Sequence, residues 1–463
     1  MSTTRRHMTR LAVALSAAVA LIAFALAGNA FADSVGRAPL WFEKWAPGGG
    51  DSVLTAPRLA RSTTGDLYEA AIVRSSSTAH DDWVVVRYTA GGSRKWVRRL
   101  TSAPPSGPPP AVVADAAGNV VVVGHVEGPV VSTDDWLVAK WSRDGKLLWK
   151  KRLTGSAPGV DWALDVAVGP SGSFYVAGFV ANSGTSEDGL LARFSAGGKV
   201  LWSRSIDGPQ HGSDRLSAVA VDGKGRAYVT GHDYDGTRGD DVVIARYSPN
   251  GHLDWFRRWG DPAELNLDQG TDIAVRGSTV GVVGPSWRVY PPNTWVDRGM
   301  ALSYTTSGTF KWSRIRANDS PSLRASYDLV GVDGDGRVAV AGGRVTEAVP
   351  STPSWWITTV YSVSGAIGTV QQLHGDPQQR SYPLALVSSS SGGVYETGLL
   401  AYAATSRDAY VVSLRPNGTV AWRSRVYGPG TSDDQGGGIV VTSSAVYVAA
   451  RYGDAIALLK YKP

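Results

Sequence analysis

The sequence predicts an all-β protein, an eight-bladed β-propeller of four-stranded antiparallel blades whose ring is closed by pairing the N- and C-terminal strands; seven blades is the alternative count. Three observations carry this. A Gly-centred turn followed four residues later by Trp recurs along the chain at steps of about 53 to 57 residues, a blade-sized period. Short Val- and Tyr-rich runs, separated by Asn-Gly, Asp-Gly, Gly-Gly or Ser-Gly turns, fill each unit. The composition agrees: 55 Gly, 25 Pro and 17 Trp against 8 Phe and 3 Met in 463 residues. With 43% hydrophobic residues, 19% charged residues and no Cys, the chain is neither disordered, nor a disulfide scaffold, nor a Cys-ligated metal protein.

The first 32 residues read as a signal peptide and residues 33–463 as a single propeller domain. Arg5, Arg6 and Arg10 precede the apolar run LAVALSAAVALIAFALAG (11–28), and Ala30-Phe31-Ala32 supplies a small-x-small cleavage signature that makes Asp33 the mature start. A membrane anchor is the competing reading, but small residues dominate the run and a processing site follows it at once. Export by general secretion is expected ahead of the twin-arginine route, because Thr9 stands where that motif prefers an apolar residue. Of the net charge of +6, three charges fall in the leader, which leaves +3 and no lysine-rich block. No nucleic acid is therefore expected as a partner, and no membrane span after cleavage.

Six segments carry the repeat: VVVRYTAGGSRKW (84–96), LVAKWSRDGKLLW (137–149), LLARFSAGGKVLW (190–202), VIARYSPNGHLDW (243–255), ALSYTTSGTFKW (301–312) and VVSLRPNGTVAW (411–422). A seventh, TTVYSVSGAIGT (358–369), keeps the turn and loses the Trp. One step back from Trp96 lands on Trp41, which completes eight. Each unit also holds a second hairpin, clearest in GVDWALDVAVGPSGSFYVAGF (159–179) and SDRLSAVAVDGKGRAYVTGH (213–232). The chain opens on a Trp strand and stops after AIALLKYKP (455–463), the strand that should precede one. Joining the two satisfies both edges and closes a ring, whereas an open solenoid would need capping repeats.

These strand pairs resemble the tryptophan-docking motif of quinoprotein-type (PQQ-like) eight-bladed propellers. The D-W-x-V-x-[RK]-[YW] openings and Asp-x-x-Gly-x-x-Tyr-Val-x-Gly hairpins resemble bacterial secreted β-propeller repeat proteins. The resemblance covers essentially the whole mature chain. It implies an outermost Trp strand, an innermost V-A-V strand lining a central channel, and indoles docked between blades. Trp96, Trp149, Trp202, Trp255, Trp312 and Trp422 are accordingly read as packing residues. The resemblance does not extend to quinone chemistry: the dehydrogenases use adjacent cysteines against the cofactor, and this chain has none. Nor do their calcium ligands and catalytic Asp map onto matching positions.

The same topology puts the Gly–Trp turns on one face and the long, individual connections on the other. Those connections include 101–110, 232–241, 261–270 and 285–298. Long irregular loops on one rim of a rigid scaffold are where binding residues concentrate. Trp162, Tyr234, Trp259, Trp287, Tyr290, Trp295 and Tyr382 decorate that rim as ligand-binding candidates, with packing of their own loops as the alternative. Asp161, Asp214, Asp268, Asp272 and Asp434 precede the inner strands and would crowd the channel mouth, where they could hold Ca²⁺; solvated turn-forming Asp is the plainer reading. His125 and His232 occupy equivalent positions two units apart, but no metal or nucleophile motif accompanies them. The expectation is a monomeric, secreted, extracellular, non-enzymatic binding protein without a cofactor, recognising a protein or carbohydrate at the long-loop face. The alternative is an extracellular propeller enzyme, a lyase or hydrolase, or less readily a quinone-dependent oxidoreductase.

Overall fold

The computed structural model describes residues 36–463 apart from 78–79, 104–107, 131–132, 237–238, 261–265, 291–293, 317–322, 347–353, 375–380, 403–405 and 429–431. The expected leader and its cleavage site lie outside the described residues. Eight antiparallel sheets follow one another along the chain. Blades 1 to 7 span 52–103, 111–153, 162–206, 215–259, 266–316, 323–374 and 382–426. Each runs from an inner strand to an outer one; in blade 3 the order is Trp162–Val168, Phe174–Ala181, Glu187–Phe194 and Val200–Ile206.

Blade 8 is made from both ends of the chain. Gln435–Val441, Val446–Tyr452 and Ala455–Tyr461 are completed by Trp41–Trp45, which pairs from Trp41 with Lys460 to Trp45 with Ile456. The closure therefore uses the two segments whose patterns complement one another, and the count is eight. Across this seam Leu67, Val84 and Tyr88 of blade 1 pack on Tyr447, Ile456 and Leu458 of blade 8.

Hydrophobic cores lie between blades rather than within them. Tyr68, Trp83, Val85 and Trp96 of blade 1, for example, meet Val120, Val122, Leu137 and Trp141 of blade 2. The indoles of the repeat join each outer strand to the next blade. Trp96, Trp202, Trp255 and Trp312 donate Nε1–H to the carbonyls of Arg143, Pro249, Thr306 and Val363 at 2.8, 2.9, 3.1 and 3.1 Å. Each ring lies over the Gly of that neighbouring turn. A Cβ on Gly251, whose φ is +79°, would stand 2.8 Å from the Trp202 ring, so glycine is needed there for both shape and conformation. An Arg two residues past the Trp adds a second tie: Arg98, Arg204, Arg257 and Arg314 donate Nε–H to the carbonyls of Gly145, Gly251, Gly308 and Gly365.

Blade 2 keeps the indole, with Trp149 donating to Ala196 O at 3.4 Å, but has Lys151 in place of the Arg, and the Trp41 strand has Glu43 there; blades 6 and 7 depart further. Thr369 replaces the indole in blade 6 and donates its hydroxyl to Asn417 O. Trp422 has no neighbouring turn to bond, because blade 8 is interrupted there by the chain ends. It stacks instead on Tyr461, with the Arg37 guanidinium 5.0 Å from its ring centre.

Candidate functional site

The geometry of the meander sets the two faces. Antiparallel order places the Gly–Trp turns and the turns after the inner strands at one end of the ring. The connections into the inner strands, and those between the second and third strands, lie at the other.

At this long-loop face the aromatic candidates have different surroundings. Trp162 is half-buried, stacked on His125 of blade 2 with ring centres 4.7 Å apart, and its Nε1–H donates to Asp134 Oδ2 at 2.8 Å. Trp259 packs on the core between blades 4 and 5. Trp287 and Tyr382 are half-buried, and Tyr234 is exposed beside Gly212. Tyr290 and Trp295 occupy the paired strands Thr279–Tyr290 and Thr294–Thr305, and their side chains lie outside what is described.

The acidic candidates separate into two kinds rather than meeting at the channel mouth. Asp161 accepts N–H bonds from Gly155 and Ala181 at 2.8 and 2.7 Å. Asp214 does the same with Gly208 and Tyr234, and Asp434 with Gly428 and Gly453. In each case the carboxylate ties the loop entering a blade to the end of that blade's second strand or, for Asp434, to the turn just after it. Asp268 is fully buried on the short strand Asn266–Asp268. Burial raises the pKa of Asp161, Asp214 and Asp434, to about 6 for Asp434, against the pull of their N–H donors.

Asp272 is different, because it faces the axis. All eight inner strands line a cavity of about 320 Å³ that also holds Asp165, Asp328 and Arg58. Arg58, Ala111, Asp272 and Leu329 are the first residues of their short inner strands, whereas Asp165, Ala218 and Ala385 lie at the middle of their longer ones, so the cavity sits on the axis within the ring. An innermost strand leaves backbone N–H groups without a ladder partner. Asp165 Oδ2 accepts Val219 N–H of blade 4 at 2.9 Å, and Asp272 Oδ2 accepts Val330 N–H of blade 6 at 2.8 Å. The other oxygen of each accepts the following residue's N–H, from Val166 and Ile273. Enclosure pushes Asp165 to about 6 and Asp272 to about 7, and raises Asp328 as well; the Arg58 charge opposes the rise in the first two. Asp165, Asp328 and Arg58 were not among the candidates read from the sequence. The available signal was a carboxylate inside or beside a strand that should be apolar, as in WALDVAV, TDIAV and SYDLVGV.

His232 is buried and its charged form disfavoured by desolvation, with Asp240 Oδ2 4.0 Å from Nε2. The acidic pairs at the third strands tie blades together. Asp134 receives the Trp162 indole, Glu187 Oε2 accepts from Ser213 and Arg215 at 2.6 Å each, and Asp240 accepts from Gln269 at 2.6 Å.

No family model matches the chain, and no curated protein does. Among solved structures, the chain is similar to a protein of unknown function from Dyadobacter fermentans, at 11% identity over 92% of this chain and 99% of that one, with a TM-score of 0.44. It is also similar to the polysaccharide lyase Uly1, at 10% identity over 89% and 98% with a TM-score of 0.45. A third is the β-propeller domain of the Trilobed protease from Pyrococcus furiosus, at 9% identity over 77% and 93% with a TM-score of 0.39.

Proposed function

We propose that the protein is a secreted, non-enzymatic binding protein that recognises a glycan at its long-loop face, with one sugar unit entering the axial cavity. One observation carries the reading: a polar cavity lies on the axis of a rigid ring whose long connections all reach one face. A volume of about 320 Å³ is at the small end of ligand pockets, about 300–1,000 Å³. Asp165, Asp272 and Asp328 offer acceptors to sugar hydroxyls, Arg58 offers donors, and Leu59 and Leu386 offer an apolar wall. Tyr234 supplies an exposed ring on the same face. A glycan array probed with the mature protein should register binding that Arg58→Ala and Tyr234→Ala weaken; a silent array sinks the reading.

A second reading, a propeller lyase or hydrolase, is favoured by the carboxyl pair. Enclosure raises both carboxyls, Asp272 to about 7 and Asp165 to about 6, so at neutral pH Asp272 is about half protonated and Asp165 mostly ionised. That split suits an acid and a base. Polysaccharides incubated with the protein would then gain new ends, and Asp272→Asn would stop this.

A further inference from the structure

We propose that Asp188, Asp207 and Asp214 form a calcium site on the long-loop rim at the junction of blades 3 and 4. This assignment is independent of the glycan reading. The three side chains each bring one carboxylate oxygen to within 4.8 Å of the other two. Oxygens on opposite sides of a calcium ion bound at about 2.3–2.6 Å are separated by a comparable distance. Asp188 sits on the third strand of blade 3, Asp207 follows that blade's outer strand Val200–Ile206, and Asp214 immediately precedes the inner strand of blade 4.

The internal repeat shows why this junction differs from its equivalents. In blades 1, 2 and 7 the carboxylate at the Asp188 position pairs with an Arg of the outer strand. Asp82 meets Arg99 at 3.6 Å, Asp135 meets Arg152 at 2.9 Å, and Asp408 meets Arg425. In each case the Arg lies opposite the residue two positions past the acid: Val84 with Arg99, Leu137 with Arg152, Tyr410 with Arg425. The same register in blade 3 pairs Leu190 with Ser205. The guanidinium is gone, and a third carboxylate, Asp207, stands nearby.

Asp188 has no such Arg; a buried unpartnered oxygen is found at its equivalent Asp82 as well, beside Arg99. The Asp188 side chain is 6% exposed; Oδ2 accepts from Asn182 Nδ2 at 2.7 Å, while Oδ1 is buried without a hydrogen-bond partner. Asp214 is held by the Gly208 and Tyr234 N–H groups, and Asp207 Oδ2 lies 2.8 Å from the exposed His211 Nδ1. The one neighbouring Arg of the inner strand, Arg215, is engaged by Glu187. The charges of Asp207 and Asp188 add to the burial that raises the pKa of Asp214. An all-oxygen donor set of three carboxylates, completed by water, suits a hard divalent cation. Such an ion would tie the segment entering blade 4 to blade 3, in the role the Arg plays elsewhere.

Calcium titrations of the chelator-treated mature protein, by calorimetry and by terbium luminescence, test this. One site is expected. Asp207→Asn should weaken it by about tenfold or more, and Ser205→Arg, which restores the repeat's own cation, should abolish it. Both positions are exposed, so both variants should fold, and Asp335→Asn, a distant exposed acid, should bind as wild type. No binding up to millimolar calcium, or binding that persists in either Asp207→Asn or Ser205→Arg, overturns the proposal.

Discussion

A single indole in this ring works in three ways at once: it fills the space over a glycine, donates to a carbonyl of the next blade, and carries an Arg guanidinium against its face. Trp202 shows all three, with Gly251, Pro249 O and Arg204, whose guanidinium is 5.6 Å from the ring centre. Trp202→Ala should cost about 3–5 kcal/mol, read from urea unfolding. A different residue sets the pH response. Glu69 is fully buried on a strand face it shares with Leu67, Ala71 and Val73, which pack across the seam with blade 8. Burial pushes its carboxyl from 4.5 to about 8, offset only in part by the Tyr88 hydroxyl. Because the folded-state value lies above the unfolded one, its contribution to stability is complete below about pH 4.5 and is lost as pH rises through about 8. Glu69→Gln should therefore match wild type in thermal melts at pH 4 and exceed it at pH 9. A lower melting temperature than wild type at pH 9 would refute this account of the seam.

The inner strands of five blades explain a glycine that recurs at the exit of the second strand. In blades 3, 4 and 7 the inner strand shifts register, between Ala163 and Asp165, Leu216 and Ala218, and Pro383 and Ala385. The displaced backbone presses on the partner strand: a Cβ on Gly178, Gly231 or Gly398 would fall 1.9, 1.8 or 2.3 Å from the carbonyl oxygen of Trp162, Arg215 or Tyr382. Gly284 and Gly342 are equally crowded by Gln269 and Ser326 in blades 5 and 6. Gly231→Ala should destabilise the protein by about 1–3 kcal/mol or more, whereas Gly223→Ala, with nothing within 4 Å, should be close to neutral in the same melts. The recurrence of this glycine was legible in the Y-V-x-G hairpins; its cause was not. A register shift depends on which backbone groups two strands bring together, and residue type alone does not report that.

Ring closure rests on five residues of one short strand. Trp41–Trp45 covers the outer edge of Ala455–Tyr461, and without it that edge would present unpaired N–H and C=O groups. A chain starting after residue 50 should melt at lower temperature and elute as dimers or larger species on size exclusion. A monomer of unchanged stability would show that this strand is dispensable. The long-loop rim is likewise a property of the ring, since only closure brings eight inner strands around one cavity.

The repeat, the four-strand unit, the count and the complementarity of the chain ends were all readable in the residues alone, because periodic turns and alternating apolar strands are local patterns that any self-comparison recovers. The sequence also marked the docking indoles, whose spacing follows the fold. It did not separate loop-tying carboxylates such as Asp161 and Asp434 from the cavity-facing Asp272, nor single out Asp165, Asp328, Arg58 or the trio at Asp188, Asp207 and Asp214. Those distinctions arise from residues far apart in the chain that meet only when blades stand side by side. Burial, register and the presence or absence of an opposing guanidinium then decide which carboxylates hold backbone and which are left to hold something else.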